Sequence, residues 1–136
     1  MRASVVLQRR VVAALHASPA LSARKLRIYD GPPPDASPPY LSVGAENILD
    51  WGWKGGGGVD HRFQVQLWDA SDGVGSAKAI LADVEAAVLA MPRVGDGVRL
   101  VMLRRLRAQV RRRPGQWTEA TVEFRALVVM ENQDGD

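Results

Sequence analysis

The stretch His61-Arg62-Phe63-Gln64-Val65-Gln66-Leu67-Trp68 puts Phe63, Val65 and Leu67 on one face of an extended chain and Arg62, Gln64 and Gln66 on the other. Alternation at period two marks a strand with one face in a core and the other in water, and it sends Trp68 away from Phe63. Downstream, the spacing changes. Ala77, Ile80, Leu81, Val84, Val88 and Met91 recur at threes and fours, which predicts an amphipathic helix that Ser71 or Asp72 can cap and Pro92 closes. Alternation then returns in Val98 to Val110 and, after a turn at Pro114-Gly115, in Trp117 to Met130, where Val122, Phe124, Ala126 and Val128 face inward.

Upstream, Tyr40 to Glu46 reads as a further strand and Lys25 to Tyr29 as another, separated by the stiff loop of Asp30-Gly31-Pro32-Pro33-Pro34 and Pro38-Pro39. Trp51, Trp53 and the glycines Gly55 to Gly58 then make a long, mobile hairpin loop before His61. At the start, Leu7, Val11, Ala14 and Leu15 share one face of a helix over Ser4 to Ala17, with Ser4 as N-cap and Ser18-Pro19 as the stop. The order of elements predicts an α+β fold: a mainly antiparallel β-sheet with two α-helices packed on one face. Residues 1–130 are expected to form one domain and 131–136 a flexible C-terminal tail.

Composition narrows the function classes. The chain has 136 residues, a net charge of +3 and no cysteine, which removes disulfides, thiolate nucleophiles and cysteine metal sites and suits a reducing compartment. Gln8, Arg9 and Arg10 interrupt Val5-Val6-Leu7 too early for an export signal, and no apolar run nears the ~20 residues of a membrane span. Cytoplasmic synthesis is the expectation.

Each motif that invites a chemical role lacks part of what that role needs. Gly55 to Gly58 follows Lys54 and lacks the Gly-Lys-Ser/Thr that opens a phosphate-binding helix. Gly73-Val74-Gly75 has Lys78 where a dinucleotide fingerprint needs its third glycine, and Asp69 and Asp72 would repel a pyrophosphate. His61 follows Asp60, but neighbours on a strand point to opposite faces, so His61 reads as an ordinary strand-end residue and His16 as a helix-surface one. Two distant histidines give no metal-ligand spacing, and Asp83, Glu85, Glu119 and Glu123 are scattered toward solvent. No catalytic residue, cofactor site or metal site is expected.

Two features fit binding. The run Arg104 to Arg113 holds Arg104, Arg105, Arg107, Arg111, Arg112 and Arg113 on a hairpin. Such a ribbon suits phosphate neutralisation, or else a solvated face in which Arg105, Arg107 and Arg111 pair with Glu119 and Glu123 or with a neighbouring subunit. Trp51 and Trp53 flank the glycine loop and suit either partner contact or loop packing, while Trp117 suits cover for a sheet edge.

The order Ile28-Tyr29-Asp30-Gly31-Pro32-Pro33, Pro39-Tyr40-Leu41-Ser42-Val43-Gly44, Asp50-Trp51 with Lys54, His61 to Trp68, the helix Ala77 to Met91 and Glu123-Phe124-Arg125-Ala126-Leu127 resembles the tail completion proteins of long-tailed phages, prophages and gene transfer agents. That resemblance implies a structural tail terminator: a ring, usually of six copies, that caps the head-proximal end of the tail tube, stops its polymerisation and meets the head-side connector. The implied partners are further copies of the chain, the tail tube protein and the connector or stopper protein, with DNA passing through the lumen without specific recognition and no membrane. The implied place is the cytoplasm during assembly and then the particle tail. A neighbouring head-to-tail connector role, and a nucleic-acid-binding role for the Arg104–Arg113 hairpin, are the alternatives. By residue type and expected exposure, Trp51, Trp53, Arg111, Arg112 and Arg113 are the candidate interface residues.

Overall fold

The alternation at 61–68 runs further in both directions than the sequence pattern suggests. A computed structural model describes residues 2–31, 35–51, 57–70, 74–113 and 117–131. In chain order the elements are α1 (Arg2–Ala17), α2 (Pro19–Ala23), β1 (Arg27–Asp30), β2 (Tyr40–Asp50), β3 (Gly58–Asp69), α3 (Gly75–Leu89), β4 (Val94–Gly95), β5 (Val98–Arg112) and β6 (Thr118–Met130). The strands form one six-stranded sheet in the order β1-β2-β3-β6-β5-β4. β1 lies parallel to β2 and every other pair is antiparallel.

The centre of the sheet is the β3–β6 ladder, which runs without a register shift from Gly58 opposite Val129 to Asp69 opposite Thr118. Alternate residues are buried on both strands, so Phe63, Val65 and Leu67 meet Phe124, Val122 and Ala120 on one face. Phe63 and Phe124 stack with centroids 5.4 Å apart. These side chains join Leu7, Val11 and Leu15 of α1 and Ala77, Ile80, Leu81, Val84 and Val88 of α3 in a single hydrophobic cluster. The α+β class is thus observed, with a short third helix beyond the two expected.

Several boundaries differ from expectation for local reasons. α1 starts at Arg2, so Ser4 sits 4% exposed inside its first turn instead of capping it. Ser18 ends α1 as expected but also begins α2, accepting from the Leu21 N–H at 3.2 Å, with Pro19 in the first helical turn where its missing N–H costs nothing. Ser71 and Asp72 lie outside the described residues; the cap position of α3 is Val74, which makes no side-chain capping bond. β2 continues to Asp50 because its far half pairs with the early half of β3. Asp96 and Gly97, both at positive φ, turn β4 into β5 across two residues, the geometry that Asp-Gly favours in tight hairpins.

One charged side chain is buried in the helix–sheet seam. Arg10 on α1 donates to the carbonyls of Pro92 at 3.2 Å, Gly95 at 2.7 Å and Val98 at 3.3 Å. It thereby holds the segment after α3, and the β4–β5 turn, against the first helix. The flat fork of a guanidinium can serve three carbonyls where an ammonium point charge cannot. We expect Arg10→Leu to lower stability by about 1.5–3 kcal/mol, the range for charged hydrogen bonds, and Arg10→Lys to recover only part of it. Urea unfolding of the three proteins checks this; an unchanged midpoint for Arg10→Leu would show that the clamp is dispensable.

Candidate functional site

Register determines which side chains share a surface. On the face of the sheet opposite the core, Tyr40 stands beside Trp68, which stands beside Glu119 and then Arg111. Tyr29 meets Tyr40 edge-on at 5.6 Å, Tyr40 stacks on Trp68 at 6.5 Å, and Trp68 meets Trp117 edge-on at 5.9 Å. A half-buried aromatic ladder therefore crosses three strands and reaches the residue before β6, and no sequence pattern joins its members. Burial, with Tyr29 alongside, pushes the Tyr40 hydroxyl up from its usual pKa. The only clue in the sequence is that Trp68 points away from Phe63; Tyr29, Tyr40 and Trp117 become its neighbours only through pairing.

Arg111, Arg112 and Arg113 lie beside this ladder at the β5–β6 turn. Arg113 donates to Glu119 Oε2 at 2.9 and 3.3 Å, and Arg112 Nη1 donates to Thr118 Oγ1 at 3.2 Å. Arg111 is exposed and has no ion pair among the described residues. Trp51 is at the opposite end of the sheet, about 36 Å away along β3 at ~3.3 Å per residue. There its N–H donates to Gly58 O at 2.9 Å and its ring lies over Gly58. Trp53 lies outside the described residues. The structure thus groups the three arginines with each other and places Trp51 at the other end of the sheet.

The expected cross-hairpin pairs are redistributed. Arg107 does reach Glu123, at 3.3 Å, but Arg105 reaches Glu85 of α3 at 3.4 Å and Glu119 is taken by Arg113. The cause is two register shifts in β5, between Leu100 and Met102 and between Arg105 and Arg107. The second brings Arg105 opposite Phe124 on the helix side, so the arginines do not alternate regularly along a ribbon. On β3, Asp60 binds Arg125 through two hydrogen bonds of 2.9 and 2.7 Å, which hold the Asp60 carboxyl below its usual pKa.

His61 is corrected more sharply. β3 begins three residues earlier than expected, so His61 is an interior residue on the core face, 0% exposed, with Nε2 2.9 Å from Glu46 Oε1. Desolvation lowers its pKa below 6.5, outweighing the Glu46 and Asp60 carboxylates that raise it. The unfolded chain binds a proton on His61 at pH values where the folded chain does not. Its contribution to stability is therefore complete above about pH 6.5 and declines as pH falls below it toward the folded value. Asp60 and His61 face opposite sides of the sheet, so they form no dyad.

Among the described residues no group of three or more metal-ligating side chains converges, and no helix is long and apolar enough to cross a membrane. An open cleft of about 630 Å³ is lined by Lys25, Arg27, Tyr29, Asp35 and the Ala36–Pro39 loop. The family model for tail completion protein gp17 matches residues 9–129, and the chain belongs to that family: it is a structural, non-enzymatic tail completion protein. A solved chain described as "Virion of native gene transfer agent (GTA) particle" is similar at 32% identity and a TM-score of 0.77, covering 90% of this chain and 93% of that one. No curated protein matches in sequence.

Two outcomes follow from this geometry. The urea midpoint of the wild type should fall between pH 7 and 5.5 by more than that of His61→Gln; equal falls would remove His61 from the account. A Cβ at Gly58 would sit 2.6 Å from the carbonyl oxygens of Trp51 and Val128, so Gly58→Ala should cost about 1–3 kcal/mol in the same assay.

Proposed function

We propose that this chain is the tail terminator of a phage-like or gene transfer agent particle, closing the head-proximal end of the tail tube as a ring of six copies. In this role it stops tube polymerisation and joins the tail to the head-side connector. The observation that carries the reading is the similarity, over nine-tenths of both chains, to a protein of a gene transfer agent virion. Membership of the tail completion family supports it. The tube protein and the connector are its partners, and DNA crosses the lumen without specific recognition. Assembly takes place in the cytoplasm before the particle is complete.

The architecture suits such a ring. The strand edges and the sheet face opposite the core offer surfaces for contacts, and a cyclic ring needs two different surfaces that complement each other. Arg105, Arg107 and Arg113 already pair with carboxylates within the chain, which weakens the case for a nucleic-acid hairpin. Light scattering on the purified chain at moderate salt should give the mass of six 14.8 kDa chains. A single-chain mass at every concentration would overturn the self-assembled ring, and DNA affinity that falls steeply with salt would favour the nucleic-acid role instead.

A further inference from the structure

The two edges of the sheet are each only partly covered. β4 lies beside β5 at Val98 and Arg99 alone, and β1 lies beside β2 at Tyr40 to Val43 alone. Among the described residues, Leu100–Arg112 and Gly44–Asp50 therefore have no strand on their outer side. The first edge carries Arg104, Arg105, Arg107, Arg111 and Arg112 and no carboxylate; the second carries Glu46 and Asp50 and no cation. Arg104 and Arg111 on one edge, and Asp50 on the other, have no ion pair among the described residues. Large exposed apolar side chains occur on both, Val101 at 46% and Leu49 at 54%.

Resting on the ring reading above, we propose that the open edge of β5 in one copy pairs antiparallel with the open edge of β2 in the next, arginine edge on acidic edge. Direction permits this pairing. β2 runs against β3, β3 against β6 and β6 against β5, so β2 and β5 are antiparallel within a copy. Rotation about an axis along the strands brings them together in that sense between copies, and the contact is heterologous, as a closed ring needs.

The β1 edge is a poorer partner for β5. Arg27 on β1 stands level with Arg111 through Tyr40, Trp68 and Glu119, so an unshifted pairing would oppose like charges. β1 also blocks the Tyr40–Val43 half of β2, which leaves the acidic half. The two shifts in β5 break its edge into short runs, which discourages indiscriminate pairing and favours a partner matched in charge.

The test exploits the absence of native cysteine. Leu49→Cys on β2 is mixed in turn with Met102→Cys, Arg107→Cys and Gln109→Cys on β5. A disulfide forms only when Cα atoms lie within about 7 Å, whereas the two edges of one chain are three strand spacings, about 14 Å, apart. Mild oxidation of assembled rings should give at least one mixed disulfide dimer, at about tenfold the yield of either variant oxidised alone. As a second measurement, Arg104→Asp, level with Asn47 in the acidic half of β2, should weaken association about tenfold, whereas Arg111→Asp, level with Tyr40 behind β1, should not. Rings of six-chain mass with no mixed disulfide, or disulfides from single variants alone, would overturn the edge pairing and leave the ring reading standing. Absence of any ring mass would overturn both.

Discussion

The uninterrupted ladder between β3 and β6 is the constraint from which the other features follow. These strands are distant in sequence, and α3 with the whole of β4 and β5 lies between them. Closing so long a loop is entropically unfavourable, and the offset comes from alternate side chains burying against α1 and α3. Because the period is two, a slip of one residue would expose Phe63 and Phe124 and bury Arg125 and Asp60, so the core fixes the register. With the register set, Asp60 meets Arg125, and Tyr40, Trp68 and Trp117 are brought within ring contact on the far face.

The same core confers specificity through a few polar groups. Arg10 holds three carbonyls from a different part of the chain, and His61 sits among apolar side chains with Glu46 as partner to Nε2. Each is unfavourable to bury alone and becomes acceptable only in one arrangement, which ties the first helix to the β4–β5 turn and Glu46 of β2 to β3. The sheet's margins are left less committed. β5 is long, irregular in register and rich in arginine, and β2 ends in an acidic stretch that β1 does not cover. A tail completion protein has to meet other proteins of its particle, and edges and a surface aromatic ladder offer backbone, charge and rigid apolar area for doing so.

Local periodicity is what the amino-acid sequence makes legible. Phe63-Gln64-Val65-Gln66-Leu67 and the stripe from Ala77 to Met91 each specify an element and its buried face, because alternation and helical spacing are properties of consecutive residues. The family is legible for a similar reason, since its turns and strand starts occur in order along the chain. The Asp96-Gly97 turn is equally local but is not among the expected elements, because the strand before it is only two residues long. His61 is expected at a strand end and found in its interior because the residues before it, Gly58-Val59-Asp60, carry little alternation of their own and become strand only by pairing with β6.

Amphipathic pattern in the chain thus determined the α+β class, the two long helices and the inward faces of the central strands, because each apolar stripe must be covered whatever covers it. Strand order, the burial of Arg10 and His61, the separation of Trp51 from the Arg111–Arg113 group and the charge of the two open edges were decided only in three dimensions. These depend on which strands become neighbours and in which register, a choice made by the fit of distant side chains into one core and not by any short run of residues.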